Sequence, residues 1–195
     1  MDRVTTSEQT VTTLVKSVED IFSSGDILYG GDAQRRLVFV DQLFYQKGDW
    51  ASEIQQYFLD RDVEATIIPI ECLEETKDLE TLLYILGQIE RFNILRRKEP
   101  IIAIGGGVLM DMVGFAASMF RRGVPYIKVP TTLLGSVDAG VGAKTSINHF
   151  ERRNRLGSYF PPIMTLIDNR FLKTLDKKEI LFSLGEIIKI SIITV

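Results

Sequence analysis

Cysteine and histidine are almost missing: the 195-residue sequence holds one of each, Cys72 and His149. Neither a disulfide framework nor a Cys/His zinc site can be assembled from them within the chain, and a lone thiol suits a reducing cytoplasm. Long hydrophobic runs are missing as well. The longest, around Ile101 to Met110, is about ten residues with three glycines, against the ~20 that a bilayer span requires. The amino terminus mixes polar and charged residues with isolated valines and lacks the apolar segment of a secretory signal. No membrane association is expected, and the reading is cytoplasmic. Cations are not in excess either: 23 Lys and Arg face 26 Asp and Glu, for a net charge of −3, so nothing marks nucleic acid as a partner, although a local basic patch could hold a small anion.

What is present is a globular composition, 45% hydrophobic and 25% charged, of a length that fits one domain or one and a fraction. Thr10 to Phe22 places apolar residues at Val11, Leu14, Val15, Val18, Ile21 and Phe22, the spacing of an amphipathic helix. After glycine-containing breakers, RRLVFVD (Arg35–Asp41) reads as a strand and Trp50 to Asp60 as a helix. VEATIIPI (Val63–Ile70) reads as a buried strand, Leu79 to Phe92 as a helix, and PIIAIGGG (Pro100–Gly107) as a strand entering a glycine turn. A small-residue helix, VLMDMVGFAASMF, and a short buried strand, VPYIKVP, follow. Thr131 to Asn148 is too polar and glycine-rich to be core and reads as a functional loop. Ile163 to Asp168 is a further strand, and Lys177 to Val195 has helical periodicity. Strands alternating with helices predict a Rossmann-like parallel α/β sheet. The apolar face of the last segment suggests the front part of a longer architecture.

Five motifs carry chemistry, each with a plainer reading beside it. Gly105-Gly106-Gly107, between strand and helix, would let a backbone approach a pyrophosphate at a helix amino terminus, or is simply a tight turn. It departs from G-x-G-x-x-G, because Met110 stands where a glycine or alanine belongs. Gly140-Val-Gly142-Ala-Lys144-Thr145 is not a P-loop, since the required glycines would fall at Asp138 and Ala143. It leaves a loop lysine six residues after Asp138, suited to an anionic substrate and proton movement, or merely solvated. Arg152, Arg153 and Arg155, together with Arg121-Arg122, are phosphate forks or a soluble face. Glu74-Glu75-Thr76-Lys77 could meet ribose and phosphate, or could supply acids to a helix start. Glu186 and Lys189, three apart, form a surface ion pair or face a cleft.

In this order, the motifs resemble the sugar phosphate cyclase superfamily, which includes the 3-dehydroquinate synthases. The match runs from about Val38 to the last residue, through E-x-x-K at Glu74 to Lys77, GGGVLMD at Gly105 to Asp111, RRGVPYIKVPTTLL at Arg121 to Leu134, VDAGVGAKTSIN at Val137 to Asn148, RNRLGSY at Arg153 to Tyr159, FLKTL at Phe171 to Leu175 and LGEIIK at Leu184 to Lys189. Within the superfamily these stretches look most like the 2-epi-5-epi-valiolone synthase branch. Dehydroquinate synthases usually carry two serines where Ala139-Gly140 stands, and Thr145 leans the same way against the desmethyl-4-deoxygadusol synthase branch. Dehydroquinate synthase, the gadusol branch and a non-catalytic NAD-binding remnant are the alternatives.

The resemblance implies a dehydroquinate synthase-like fold: residues 1–30 matched poorly, an NAD-binding α/β domain over 31–170, and over 171–195 the beginning of a helical metal and substrate domain. It implies a phosphate-eliminating lyase that converts sedoheptulose 7-phosphate to 2-epi-5-epi-valiolone by transient oxidation with bound NAD, elimination, re-reduction and intramolecular aldol closure. By matching position, Asp41, Glu74, Lys77, Gly106, Gly107, Val108, Asp111, Thr131, Thr132, Lys144, Arg153, Phe171 and Thr174 would bind NAD. Asp138, Lys144, Asn154 and Lys189 would face the sugar phosphate, and Arg122 would reach a phosphate across a homodimer interface. Arg153 stands where the family generally has lysine. Glu186 would be one ligand of zinc, or of cobalt. The family's two histidine ligands belong to the second domain, so the expectation is that these 195 residues alone have little cyclase activity.

Overall fold

A computed structural model describes residues 13–23, 28 and 34–193. Six strands form one parallel sheet: β1 (Leu14–Val18), β2 (Arg35–Asp41), β3 (Glu64–Ile70), β4 (Ile101–Gly105), β5 (Tyr126–Pro130) and β8 (Met164–Asp168), in the order β1-β8-β5-β4-β2-β3. Strands β6 (Lys144–His149) and β7 (Arg152–Tyr159) make a separate antiparallel hairpin. The helices are α1 (Gln42–Tyr45), α2 (Trp50–Leu59), α3 (Leu79–Phe92), α4 (Gly107–Met119) and α5 (Lys177–Ile193). Among the described residues no helix is long and apolar enough to cross a membrane.

The expected α/β class follows from strands that are apolar on both faces. Leu37, Phe39, Ile101 and Ala103 pack beneath α3 and α4, through Leu82, Ile85, Ile89, Leu109, Met112 and Val113. Val38, Val40, Ile102 and Ile104 point the other way, onto Trp50, Ile54, Tyr57 and Phe58 of α2. Burying both faces is the ordinary condition of a parallel sheet. The chain moves outward from β2 to β3 and then returns to the other side of β2 with β4. That reversal opens a crevice beyond the carboxyl ends of β2 and β4, the place where open α/β sheets bind ligands.

Three elements differ from expectation. Within the segment foreseen as a helix over Thr10 to Phe22, Leu14–Val18 is instead β1, paired in parallel with β8 from Leu14 opposite Met164 to Val18 opposite Asp168; Thr10, Val11 and Thr12 lie outside the described residues. Its spacing suited either structure, and the open edge of β8 supplied hydrogen-bonding partners to a segment that holds two β-branched valines, Val15 and Val18. VEATIIPI is an edge strand rather than a buried one, which is where Pro69, without an N–H, is tolerated. The Thr131–Asn148 segment is only partly loop: it contains a π-helical turn over Gly135–Ala139 and then β6, whose Thr145 and Ile147 are buried. The basic run Arg152–Arg155 belongs to β7. A two-residue turn joins the hairpin with Phe150 at φ 51° and Glu151 at φ 57°, a left-handed pair normally announced by Asn-Gly, so the sequence carried no turn signal there.

Candidate functional site

Two clefts meet beside α4. The first begins where β4 ends. A Cβ on Gly105 would lie 2.7 Å from Leu109 Cδ2 and 3.1 Å from Asp41 Cβ, so glycine lets the end of β2 approach the start of α4. Gly106 is extended (φ −80°, ψ −176°), and no side chain caps the helix. The first amide of α4 turned inward is that of Met110, which donates to Gly106 O at 3.2 Å. The amides of Gly107, Val108 and Leu109 therefore have no partner within the helix, and they carry the positive end of its dipole. Gly106, Gly107 and Val108 line a cleft of about 450 Å³ together with Asp41, Thr131 and Thr132. All six were among the residues expected at the dinucleotide.

Asp41 closes one side of this cleft. Its Oδ1 accepts from Leu43 N at 2.9 Å and Phe44 N at 3.1 Å, capping α1. Burial, reinforced by the Asp41 carboxylate, pushes the neighbouring Cys72 thiol up, so it stays protonated. Thr131 N donates to Gly105 O at 2.9 Å, and Thr132 Oγ1 accepts from Gly135 N at 3.0 Å. An uncapped helix start with an acid opposite, at the crevice of the sheet, fits a dinucleotide: amides for the diphosphate and a carboxylate for ribose hydroxyls.

The second cleft, about 770 Å³, is lined by Asp111, Asp138, Lys144, Ser146, Asn154 and Arg155 with the small residues between them. Lys77, buried, donates from Nζ to Asp111 Oδ2 and to Asn154 Oδ1, both at 2.6 Å. Asn154 is left-handed (φ 53°). It is held there because its N–H donates to Asn148 Oδ1 at 2.8 Å while its Oδ1 also accepts from Ser146 Oγ at 2.9 Å. Asn148 reaches back to Glu74, donating from Nδ2 to O at 3.0 Å and to Oε1 at 2.9 Å. Glu74 and Lys77 thus fasten the hairpin to the sheet and align Asn154. Burial pushes the Asp111 carboxyl above its ordinary value; Lys77 and Lys128 oppose that rise, and Asp138 adds to it. Asp138 and Lys144 are exposed to the cleft, and among the described residues neither takes part in an ion pair. The two clefts share a wall, since a Cβ on Gly107 would lie 3.5 Å from Ala139 Cβ.

The remaining expected residues lie elsewhere. Arg153 is 78% exposed, its Nε 3.7 Å from Glu74 Oε1. Arg122 is exposed on the 3-10 turn Phe120–Arg122 beyond α4 and lines neither cleft. The Phe171 ring is not at the cofactor cleft: it is fully buried against Phe44 and Trp50 at 5.2 and 5.1 Å between ring centres. Packing claims an aromatic ring that sequence position assigned to a ligand. Thr174 ends the 3-10 turn Asn169–Thr174, and its side chain lies outside the described residues; Leu175, Asp176 and Glu179 reach the cleft instead. Glu186 is paired with Lys189 on α5. Among the described residues no three His, Cys, Asp or Glu side chains group as metal ligands, so these donors do not by themselves constitute a metal site. His149 stacks obliquely on Phe150 at the hairpin, 4.2 Å between centres. Sequence reasoning passed over Asn148, Ser146 and Lys128. Only Lys128 left a signal, as a charge in the middle of an apolar strand.

The family model of the 3-dehydroquinate synthase amino-terminal part matches residues 67–182. A 2-epi-5-epi-valiolone synthase of Streptomyces albus is 49% identical over 82% of this chain and 38% of its own length. One from an Actinoplanes species is 40% identical over 96% of this chain and 48% of its own. The solved structure of ValA, the 2-epi-5-epi-valiolone synthase of Streptomyces hygroscopicus with NAD+ and Zn2+ bound, superposes with a TM-score of 0.89 at 37% identity, over 94% of this chain and 50% of that one. The chain thus spans half or less of the length of these relatives.

Proposed function

Since the chain belongs to the 3-dehydroquinate synthase family of sugar phosphate cyclases, we propose that it is the NAD-binding and part of the substrate-binding unit of a 2-epi-5-epi-valiolone synthase, acting in the cytoplasm on sedoheptulose 7-phosphate. One observation carries this reading: an uncapped glycine turn at the reversal of the sheet shares a wall with a cleft where Asp138 and Lys144 are exposed beside the Lys77–Asp111–Asn154 network. The small apolar Ala139 on that wall supports the valiolone branch over a dehydroquinate synthase, which would place a serine there.

When bound, NAD would supply a hydride acceptor and, once reduced, the donor that returns the same hydride. The chain's own residues do the rest of the work assigned here. Amides of Gly107 to Leu109 hold the diphosphate, and Asp41 orients a ribose. Lys77 Nζ, fixed between Asp111 and Asn154, holds the Asn154 Oδ1 and leaves its Nδ2 to donate to a substrate oxygen. Lys144 Nζ and the Arg155 guanidinium are the cations available to the phosphate as it leaves. Asp138, exposed to the cleft, accepts a hydroxyl proton at its carboxylate. Arg122, remote from both clefts, serves a phosphate only across a homodimer. Glu186 would offer a single carboxylate to zinc or cobalt, too few donors among the described residues to hold the ion.

Calorimetry with NAD tests the first half of the reading: binding by this chain is expected, and its absence overturns the assignment. Offering sedoheptulose 7-phosphate and the heptulosonate phosphate separately, while following phosphate release and carbocycle formation by the longer protein, tests the second; turnover of the heptulosonate alone makes it a dehydroquinate synthase.

A further inference from the structure

A fully buried lysine stands in the middle of the sheet. Lys128 is at the centre of β5, flanked by Ile127 and Val129, with no exposed surface. A buried ammonium is costly unless its donors are satisfied. Its Nζ donates to Ala139 O at 2.6 Å and to Gly142 O at 2.9 Å. Those carbonyls bracket the exit of the π-helical turn that presents Asp138, and Gly142 lies two residues before Lys144.

The same stretch is gripped from two further sides. Thr165 Oγ1, on β8, donates to Gly140 O at 2.7 Å, and Gly140 N donates to Gly135 O at 2.6 Å. A Cβ on Gly140 would fall 2.5 Å from that Gly135 oxygen, so main chain packs directly on main chain. Three carbonyls of one short loop, those of Ala139, Gly140 and Gly142, are thus drawn toward the sheet by side chains of β5 and β8. Burial lowers the Lys128 pKa to about 8, while the Asp111 and Asp138 carboxylates work to keep it charged.

We propose that Lys128 is a positioning residue: by holding the main chain of Ala139 to Gly142 it sets where Asp138 and Lys144 stand across the cleft, and so governs affinity for the sugar phosphate. The part of this concerning sugar phosphate rests on the function proposed above; the part concerning the loop does not.

Two variants of this chain test it, K128M, which keeps the length and removes the donors, and K128Q, which restores an amide donor without charge. Hydrogen exchange is read at the amides of Gly140, Val141 and Gly142 with β4 as the internal control, and calorimetry is run with NAD and with sedoheptulose 7-phosphate. In K128M, protection of the three loop amides and sugar phosphate affinity should each fall about tenfold, as for loss of hydrogen bonds to a charged group. NAD affinity and β4 protection should hold, and K128Q should recover part of both losses. Unchanged loop protection in K128M, or failure of K128Q to recover any of it, overturns the proposal. Should K128M unfold, K128Q decides: a loss confined to the loop supports the assignment, and none refutes it. If the unaltered chain binds no sedoheptulose 7-phosphate, the reading of the cleft fails, while the exchange comparison still judges Lys128.

Discussion

The two clefts beside α4 are built from different materials. On the dinucleotide side the principal donors are main-chain amides at the start of the helix, and the side chains around them are small. On the other side Lys77, Asp111, Asn148, Asn154 and Glu74 bond to one another across sequence separations of up to 77 residues. An amide cleft keeps its chemistry whatever the neighbouring side chains are, provided no Cβ fills it. A charged network depends on every member, because the loss of one leaves another buried without its partner.

The largest expected effect lies in the network. D111A removes the carboxylate from Lys77, a pair whose side chains are 5% and 19% exposed, and should cost about 3–5 kcal/mol in urea unfolding. A loss below about 1 kcal/mol would mean that the pair is as weak as a surface bridge. Next, G140A forces a Cβ against the Gly135 carbonyl and should destabilise the chain by about 1–3 kcal/mol; a stabilised variant would show that the loop is not packed as described. G106D brings a negative cap to the amide cleft. It should leave thermal stability within a few degrees yet weaken NAD binding at least about tenfold, since an anion then occupies the helix start. Calorimetry showing unaltered affinity would remove the diphosphate from that turn.

A pH series separates the clefts in another way. Main-chain amides do not titrate, whereas Lys128 loses its proton from about 8 upward, below its ordinary 10.5. Sugar phosphate binding should therefore weaken above pH 8 more steeply than NAD binding, and K128M should lack that extra slope. The stability term has the opposite sign. Between about 8 and 10.5 the unfolded chain holds more protons on this group than the folded chain, so the contribution of Lys128 to stability rises across the window as its buried charge is removed. The smallest effect is expected from E186Q. Its partner Lys189 is 57% exposed, and the change in stability should stay within about 0.5 kcal/mol.

The amide cleft was legible in the primary structure because it is nearly local: a β-rich apolar run, a triplet of glycines and a helix follow one another within twenty residues, and Asp41 closes a strand of the same kind. The charged cleft was legible only as a set of separate motifs. Nothing in KTSINHFERRNRLGSY announces a hairpin, since Phe150 and Glu151 take left-handed conformations usually marked by Asn or Gly. Without the hairpin, Asn154 and Lys77 have no reason to meet. The placing of the Phe171 ring was likewise invisible in the sequence, because a cluster of aromatic rings from distant segments holds the side chain.

Apolar runs long enough to be buried on both faces, spaced by amphipathic helices, already commit this chain to a parallel α/β sheet, because no other arrangement hides so much hydrocarbon in that order. The order of strands, and with it the crevice beside Gly106, came only with folding, since which edge a strand joins depends on partners far along the chain. The same holds for the charges. A sequence lists Lys77, Asp111, Lys128 and Asn154, but the free energy of a charge depends on what surrounds it, and those surroundings exist only once distant segments are packed together.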